Sequence, residues 1–359
     1  MAVPKKATWN CDEHTKAKHK LLKHYLDAWF PIMAASWTST GICYIDAFAG
    51  PGIYEDGSPG SPIIALDAAC QDNIRQYNTD IELVFIEKEH ERFDHLKSMI
   101  DNYCARLPNQ CHVTPKRGAC EEILPGVLDK IHTLQPVFVN FDGWGVDTPY
   151  TLIRKIGQRK ASEVFITFHS SWFTRFAKCT DIEAGDIVFG SNQWREVTNL
   201  KNPREKKPFL VDKYRQSLLE AGFQFQLTFE LIDEGGHSLF LVFGTNSADG
   251  VEKMKDAMWQ VDKVAGSKFK DPRDPNQLKF DLSNDNPNLT LLSEQILHQL
   301  DQAPKSLTEL QRFTLLETLF KKSHAKKAVD QLEADQKVIR KHTKKYEESI
   351  VQKAPDRLF

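Results

Sequence analysis

Three carboxylates in the first half of the chain each close an apolar run. Asp46 ends Gly41-Ile42-Cys43-Tyr44-Ile45, Glu87 ends Ile81-Glu82-Leu83-Val84-Phe85-Ile86, and Asp142 ends Pro136-Val137-Phe138-Val139-Asn140-Phe141. Short β-branched and aromatic runs of this kind read as buried strands of a parallel sheet. In open α/β sheets ligands sit outside the carboxyl ends of the strands, so three such acids share one crevice. The first acid runs directly into Ala47-Phe48-Ala49-Gly50-Pro51-Gly52. The glycines let this turn fold tightly and press its amides against a ligand.

A dinucleotide fingerprint requires a third glycine, and Glu55 stands in that place. A carboxylate just before the turn suits a ligand with positive charge and hydroxyls better than it suits a pyrophosphate. S-adenosylmethionine (SAM), with an ammonium, a sulfonium and a ribose diol, is such a ligand. On this reading Asp46 orders the loop at the methionine end, with Phe48 inside that loop. Gly50 and Gly52 let the loop close on the cofactor, and Glu87 accepts the ribose hydroxyls. Asp142 then holds or deprotonates the methyl acceptor, and Trp144 stacks on a planar substrate. Methyl transfer needs in-line positioning and little else from the protein, so neither nucleophile nor metal is required. Taken singly, each acid reads equally as a helix cap or turn acceptor, and Trp144 as a core aromatic. Three strand-end acids also suit a hard cation in a metal-dependent nuclease, although the glycine turn then has no role.

Composition sets the frame. The 359 residues are 41% hydrophobic and 27% charged, the balance of a globular chain with room for two or three domains. No apolar run is long enough to span a bilayer, and Met1-Ala2-Val3-Pro4-Lys5-Lys6 lacks the apolar core of a secretory signal. A formal net charge of −2 argues against nonspecific nucleic-acid affinity for the whole molecule. Seven cysteines without C-x-x-C spacing argue against a disulfide framework or a zinc knuckle, and reduced thiols in a cytoplasmic protein are the expectation.

The elements that position these residues follow from periodicity. His14 to Phe30 reads as a helix stopped by Pro31, with Leu21, Leu22, Tyr25, Leu26 and Trp29 on one face. His14, Lys18 and His19 on another face are candidates to reach the substrate or a phosphate, or else a solvated basic face. Ser61 reads as an N-cap with Pro62 at N1, opening a helix from Ile63 to about Tyr77 whose N-terminus favours an anion at the crevice. A short strand at Cys111–Thr114 and another at Glu163–Phe168 follow. Residues 172–208 read as an insertion near the site that ends in a charged loop, Pro203 to Pro208, before a helix from Phe209 to Ala221.

Gln226–Ile232 and Ser238–Phe243 are strands separated by only Asp233-Glu234-Gly235-Gly236-His237. A parallel crossover needs a dozen or more residues, so this pair is an antiparallel hairpin. The expected fold is α/β: a Rossmann-like, seven-stranded sheet of the class I methyltransferase type, with a terminal antiparallel hairpin. Residues 1–265 form this domain. Residues 266–288, rich in Asp, Asn, Pro and Lys, read as a linker. Residues 289–359 read as a winged helix-turn-helix unit, whose Lys321–Arg340 region is a candidate nucleic-acid contact or protein contact.

The chain resembles the three-Cys-motif partner family. The matching residues are His14-Thr15 with Lys18-His19, Tyr25-Leu26 with Trp29, Tyr44-Ile45-Asp46-Ala47-Phe48-Ala49-Gly50-Pro51-Gly52, Gly60-Ser61-Pro62, Phe85-Ile86-Glu87 and the strand ending at Asp142. The resemblance implies a SAM-dependent methyltransferase fold. It also implies a partner, a radical-SAM-like protein carrying the three-cysteine motif. The central turn is similar, more weakly, to that of the ribosomal-RNA adenine-N6 methyltransferases, which end the fourth strand in Asp-Pro-Pro-Tyr. Here Asp142-Gly143-Trp144-Gly145 lacks both prolines. Two functions follow as alternatives. One is a methyltransferase acting on nucleic acid or a modified base; the other is a non-catalytic adaptor that recruits nucleic acid for its partner.

Overall fold

The computed structural model describes residues 6–37, 39–104 (backbone only at Cys104), 106–143, 146–270, 287–341 and 348–354. The chain opens with α1 (Glu13–Ser36), followed by β1 (Ile42–Asp46) and the short helices α2 (Ser61–Ala69) and α3 (Asp72–Arg75). Then come β2 (Ile81–Glu87), α4 (His90–Cys104), β3 (Cys111–Arg117), α5 (Cys120–Leu128), β4 (Val137–Phe141), α6 (Tyr150–Gly157) and β5 (Ser162–Phe168). Helices α7 (Ser170–Phe176), α8 (Ala184–Phe189) and α9 (Pro203–Ala221) lead to β6 (Phe225–Ile232) and β7 (Ser238–Thr245). Helix α10 (Ala248–Val261) and β8 (Lys268–Lys270) complete this part.

The sheet runs in the order β3-β2-β1-β4-β5-β7-β6-β8. Strands β1 to β5 pair in parallel, while β7 lies antiparallel to both β5 and β6. Order reverses at β1, where β2 pairs on one side and β4 on the other. This is the topological switch point at which open sheets bind ligands. A Rossmann-like, mostly parallel sheet with one antiparallel strand before its last edge is the class I methyltransferase arrangement. Every residue of β1 and β4 is buried, as central strands covered on both faces require. One apolar layer joins α1, α2 and α10 to one face of the sheet, and a second joins α5, α6 and α7 to α9 to the other.

Several expectations from sequence change here. The sheet has eight strands, not seven, because Lys268–Lys270 pairs in parallel with Glu230–Ile232 inside the segment read as a linker. Residues 271–286 of that segment lie outside the described residues. Helix α1 runs through Pro31 to Ser36. Proline there removes one hydrogen bond to the preceding turn, and burial of Trp29, Phe30 and Ala34 on the sheet outweighs the loss. Residues 172–208 pack into the fold, with Phe173, Val188, Phe189, Trp194 and Val197 as core residues of the second layer. Pro203–Pro208 is the first part of α9 rather than a loop. Asn202 caps it by accepting from the Arg204 amide at 3.1 Å, and Pro203 sits at the helix start, where a missing N–H costs nothing.

Beyond the sheet stand α11 (Thr290–Gln302), β9 (Lys305–Ser306), α12 (Leu307–Glu317), α13 (Lys322–Ala334), β10 (Val338–Lys341) and β11 (Ile350–Lys353). The three short strands form a sheet of their own in the order β10-β11-β9. Ser306 and Glu309 close a reciprocal capping box at the start of α12. Trp259 of α10 belongs to the apolar core of this unit. Lys255, also on α10, is buried and donates to the carbonyls of Thr314, Leu315, Thr318 and Phe320. Its ammonium thus fills the carbonyl end of α12, where helix dipoles favour a cation. Burial pulls its pKa down to about 7.

Candidate functional site

A cavity of about 560 Å³ opens at the carboxyl ends of β1, β2, β4 and β5, inside the size range of small-molecule sites. Its floor is the loop after β1. Gly50 and Gly52 hold φ of 64° and 86°, in the left-handed region that glycine enters without strain. The Gly60 amide donates to the Gly52 carbonyl at 2.7 Å, and a Cβ on Gly60 would lie only 2.9 Å from that oxygen. The loop therefore closes on itself only because glycine stands at both ends. Phe48, Gly50, Gly52, Ser61, Glu87, Asp142, His14 and Lys18 all line the cavity.

Asp46 lies beneath the loop, fully buried and outside the cavity lining. Ser61, Asn140 and the Phe48 amide hydrogen-bond its carboxylate, and the Tyr44 hydroxyl lies 3.4 Å away. Burial is the largest influence and lifts its pKa to about 6, despite these bonds. Asp46 is thus the strut of the loop, and ligand contact falls to the residues above it. Ser61 is correspondingly not the N-cap of α2. Gly60 takes that place, Ser61 and Pro62 are helical, and the Ser61 hydroxyl turns to Asp46.

Glu87 accepts from the Gly50 amide at 2.8 Å through Oε2 and from the Glu89 amide at 2.7 Å through Oε1. The Lys88 amide also hydrogen-bonds this carboxylate, which lines the cavity. Burial raises its pKa, against the pull of the Glu89 amide and the Arg92 guanidinium. Arg92 lies 4.9 Å over the ring of Trp9, which meets Tyr54 edge-on at 5.5 Å, and all three side chains wall the cavity.

Across β1 from Glu87, Asp142 has a donor on each oxygen. Its Oδ2 accepts from Lys18 Nζ, and its Oδ1 accepts from Thr167 Oγ1 at 2.7 Å. Burial pushes this carboxyl up, but the Lys18 ammonium and the two hydrogen bonds together hold it below the usual range. His169, just past β5, also lines the cavity and hydrogen-bonds the backbone of Gly143. Burial pulls its pKa down to about 4, so it is a neutral imidazole at pH 7. His19 does not line the cavity. It is buried beside the Tyr54 ring at 5.7 Å, and burial drives its pKa to about 3. Trp144 lies outside the described residues.

Thr167, His169, Trp9, Tyr54 and Arg92 escaped the reading from sequence. Thr167 and His169 carried a signal, since Thr167-Phe168-His169 ends a strand with polar groups as β1, β2 and β4 do. The aromatic and arginine wall carried none, because Trp9, Tyr54 and Arg92 come from three separate segments. Among the described residues no three His, Cys, Asp or Glu side chains come together as a metal site. Nor is any helix long and apolar enough to cross a membrane among them.

No family model matches the chain, and no curated protein matches it. Solved structures do. Trm1 from Pyrococcus horikoshii, in complex with S-adenosyl-L-methionine, is similar at 10% identity and a TM-score of 0.35, over 70% of this chain and 62% of that one. The O-methyltransferase TomG from Streptomyces achromogenes, in complex with SAM, gives 19% identity and 0.34 over 64% and 80%. A precorrin-6y C5,15-methyltransferase from Geobacter metallireducens gives 9% and 0.31 over 61% and 87%. At such values the fold assignment rests on the strand order described above.

Proposed function

We propose that the chain is a SAM-dependent methyltransferase of the three-Cys-motif partner type. The observation that carries this reading is Glu87, a strand-end carboxylate that lines the cavity beside the Gly50–Gly52 loop at the switch point of the sheet. The residues fit the cofactor. Glu87 would take the ribose diol, and the loop braced by Asp46 would lie along the methionine end. Gly118, Ala119 and Cys120 line the same side of the cavity after β3 and leave room for a flat base. When bound, the cofactor supplies an electrophilic methyl group. The protein's part is to hold the diol, shape a closed floor and place the acceptor near Asp142.

The C-terminal unit follows the order helix, strand, two helices, two strands, which is that of a winged helix. Its α13 exposes Lys322, Lys326 and Lys327, and we assign it the contact with nucleic acid. Lys321 and Arg340 at the ends of the expected basic region are instead paired inside the protein, with Asp256 and with Asp330 and Glu333. The radical-SAM-like partner rests on the family resemblance.

Calorimetric titration with SAM and with S-adenosylhomocysteine (SAH) tests the cofactor. Saturable binding is expected for the wild type, weakened by about tenfold or more in Glu87→Ala, the scale of losing charge-assisted hydrogen bonds. A folded wild type that binds neither compound, alone or with its partner, rejects the reading.

A further inference from the structure

Around Lys18 the hydrogen-bonding capacity that faces the cavity has a definite polarity. Lys18 Nζ has three donors and spends one on Asp142, with no second partner among the described residues. Its side chain is 13% exposed and lines the cavity. Asp142 has an oxygen on Lys18 and an oxygen on Thr167, and Thr167 spends its only hydrogen there. His169 uses one ring nitrogen on Gly143 and has the other for a partner in the cavity. The spare groups are therefore an ammonium that needs an electron-rich atom and an imidazole that can take a proton.

An amine acceptor fits this end poorly. Its N–H donors would meet the donors of Lys18, and its one lone pair, needed for the methyl group, could not also accept from that ammonium. A hydroxyl fits: its oxygen receives from Lys18 and its proton points to His169. We infer that the methyl acceptor is an oxygen, a hydroxyl group whose anion Lys18 stabilises and whose proton His169 receives. The inference rests on the methyltransferase reading and narrows its substrate class. In the transfer the acceptor oxygen bonds the methyl carbon while the carbon–sulfur bond breaks, its electron pair going to sulfur. The hydroxyl proton passes to His169 and then to water. Asp142 and Thr167 act as positioning residues that aim the ammonium.

The test uses full-length protein saturated with SAH, with 4-nitrophenol as the probe and aniline, uncharged at the same pH, as the competing amine. At a pH where free 4-nitrophenol is neutral, the wild type should bind it as the coloured phenolate. Lys18→Met should weaken that binding about tenfold or more, the scale of one charge-assisted contact, and abolish the phenolate band. Its SAH affinity should stay at the wild-type value, and Lys18→Arg should restore the band. The arginine variant keeps the charge, so it separates the effect from any loss of folding in the methionine variant, which thermal unfolding monitors.

A phenolate band that survives Lys18→Met overturns the inference. So does displacement of the phenol by aniline, or a loss of SAH affinity in Lys18→Met equal to the loss for phenol, which would make Lys18 a cofactor contact. A wild type that binds SAH but leaves the phenol neutral overturns this inference alone. A wild type that does not bind SAH overturns the methyltransferase reading, and this inference with it.

Discussion

Asp46 shows how one residue serves a site without touching its ligand. Its carboxylate is sealed under the loop and its pKa rises from the usual 3.8 to about 6. Between those values the folded chain keeps a proton that the unfolded chain has lost, so this group's contribution to stability falls as pH rises through the window. The shift corresponds to roughly 3 kcal/mol. Asp46→Asn has no proton to lose. Its unfolding free energy relative to wild type should therefore climb by roughly that amount between pH below 3.8 and pH above 6. Urea unfolding across this range measures it, and a flat difference would mean that burial leaves the pKa of Asp46 at its unfolded value. Glu87 behaves differently because it meets the cavity; its replacement is read in cofactor affinity.

The loop between β1 and α2 is held by backbone geometry more than by side chains. Gly52 sits at φ 86°, and a Cβ there would lie 3.2 Å from Leu96 Cδ1, against the apolar layer under the site. Gly57 in the same loop has φ 79°, but it is exposed and a Cβ would meet nothing within 4 Å. Both alanine variants should lose about 1–2 kcal/mol to left-handed strain. Only Gly52→Ala should also weaken SAM binding, since it displaces the floor of the cavity. Thermal unfolding and calorimetry on the two proteins separate strain from shape. Equal affinity in both would show that the loop adapts freely.

At the scale of the molecule, α10 couples the two parts. One of its faces covers the large sheet with α1, while Lys255 and Trp259 enter the C-terminal unit. The Trp259 indole donates to the Leu319 carbonyl at 3.1 Å, and Lys321 reaches Asp256 at 2.7 Å. Lys255→Met keeps most of the apolar stem and removes the ammonium from four carbonyls, of which that of Thr314 still accepts from Thr318 Oγ1. It should cost roughly 1.5–3 kcal/mol, the value of hydrogen bonds to a charged group. The loss should fall on the docking of the C-terminal unit, seen as earlier proteolytic release of that unit and as a second calorimetric transition. A single transition at the wild-type temperature would show that Trp259 and its neighbours suffice.

Much of this architecture was legible before any coordinates. Continuous apolar runs ending in Asp46, Glu87 and Asp142 marked central parallel strands, because burial on both faces leaves no room for polar alternation. The five residues from Asp233 to His237 forced a hairpin, and the paired glycines marked a close turn. These signals are local: each is a property of adjacent residues and of what one face must bury. Pairing across the chain is not local. Lys18 meets Asp142 across 124 positions, and Thr167 reaches the same carboxylate from β5. Ser61 gives up its capping role because Asp46 lies within reach, a fact that only the closed loop creates. Pro31 stays helical because the sheet beneath it rewards burial more than the lost hydrogen bond costs. Sequence determined which residues end strands and turn the chain. Tertiary structure decided which of them face a ligand, because facing depends on neighbours brought close in space by other segments.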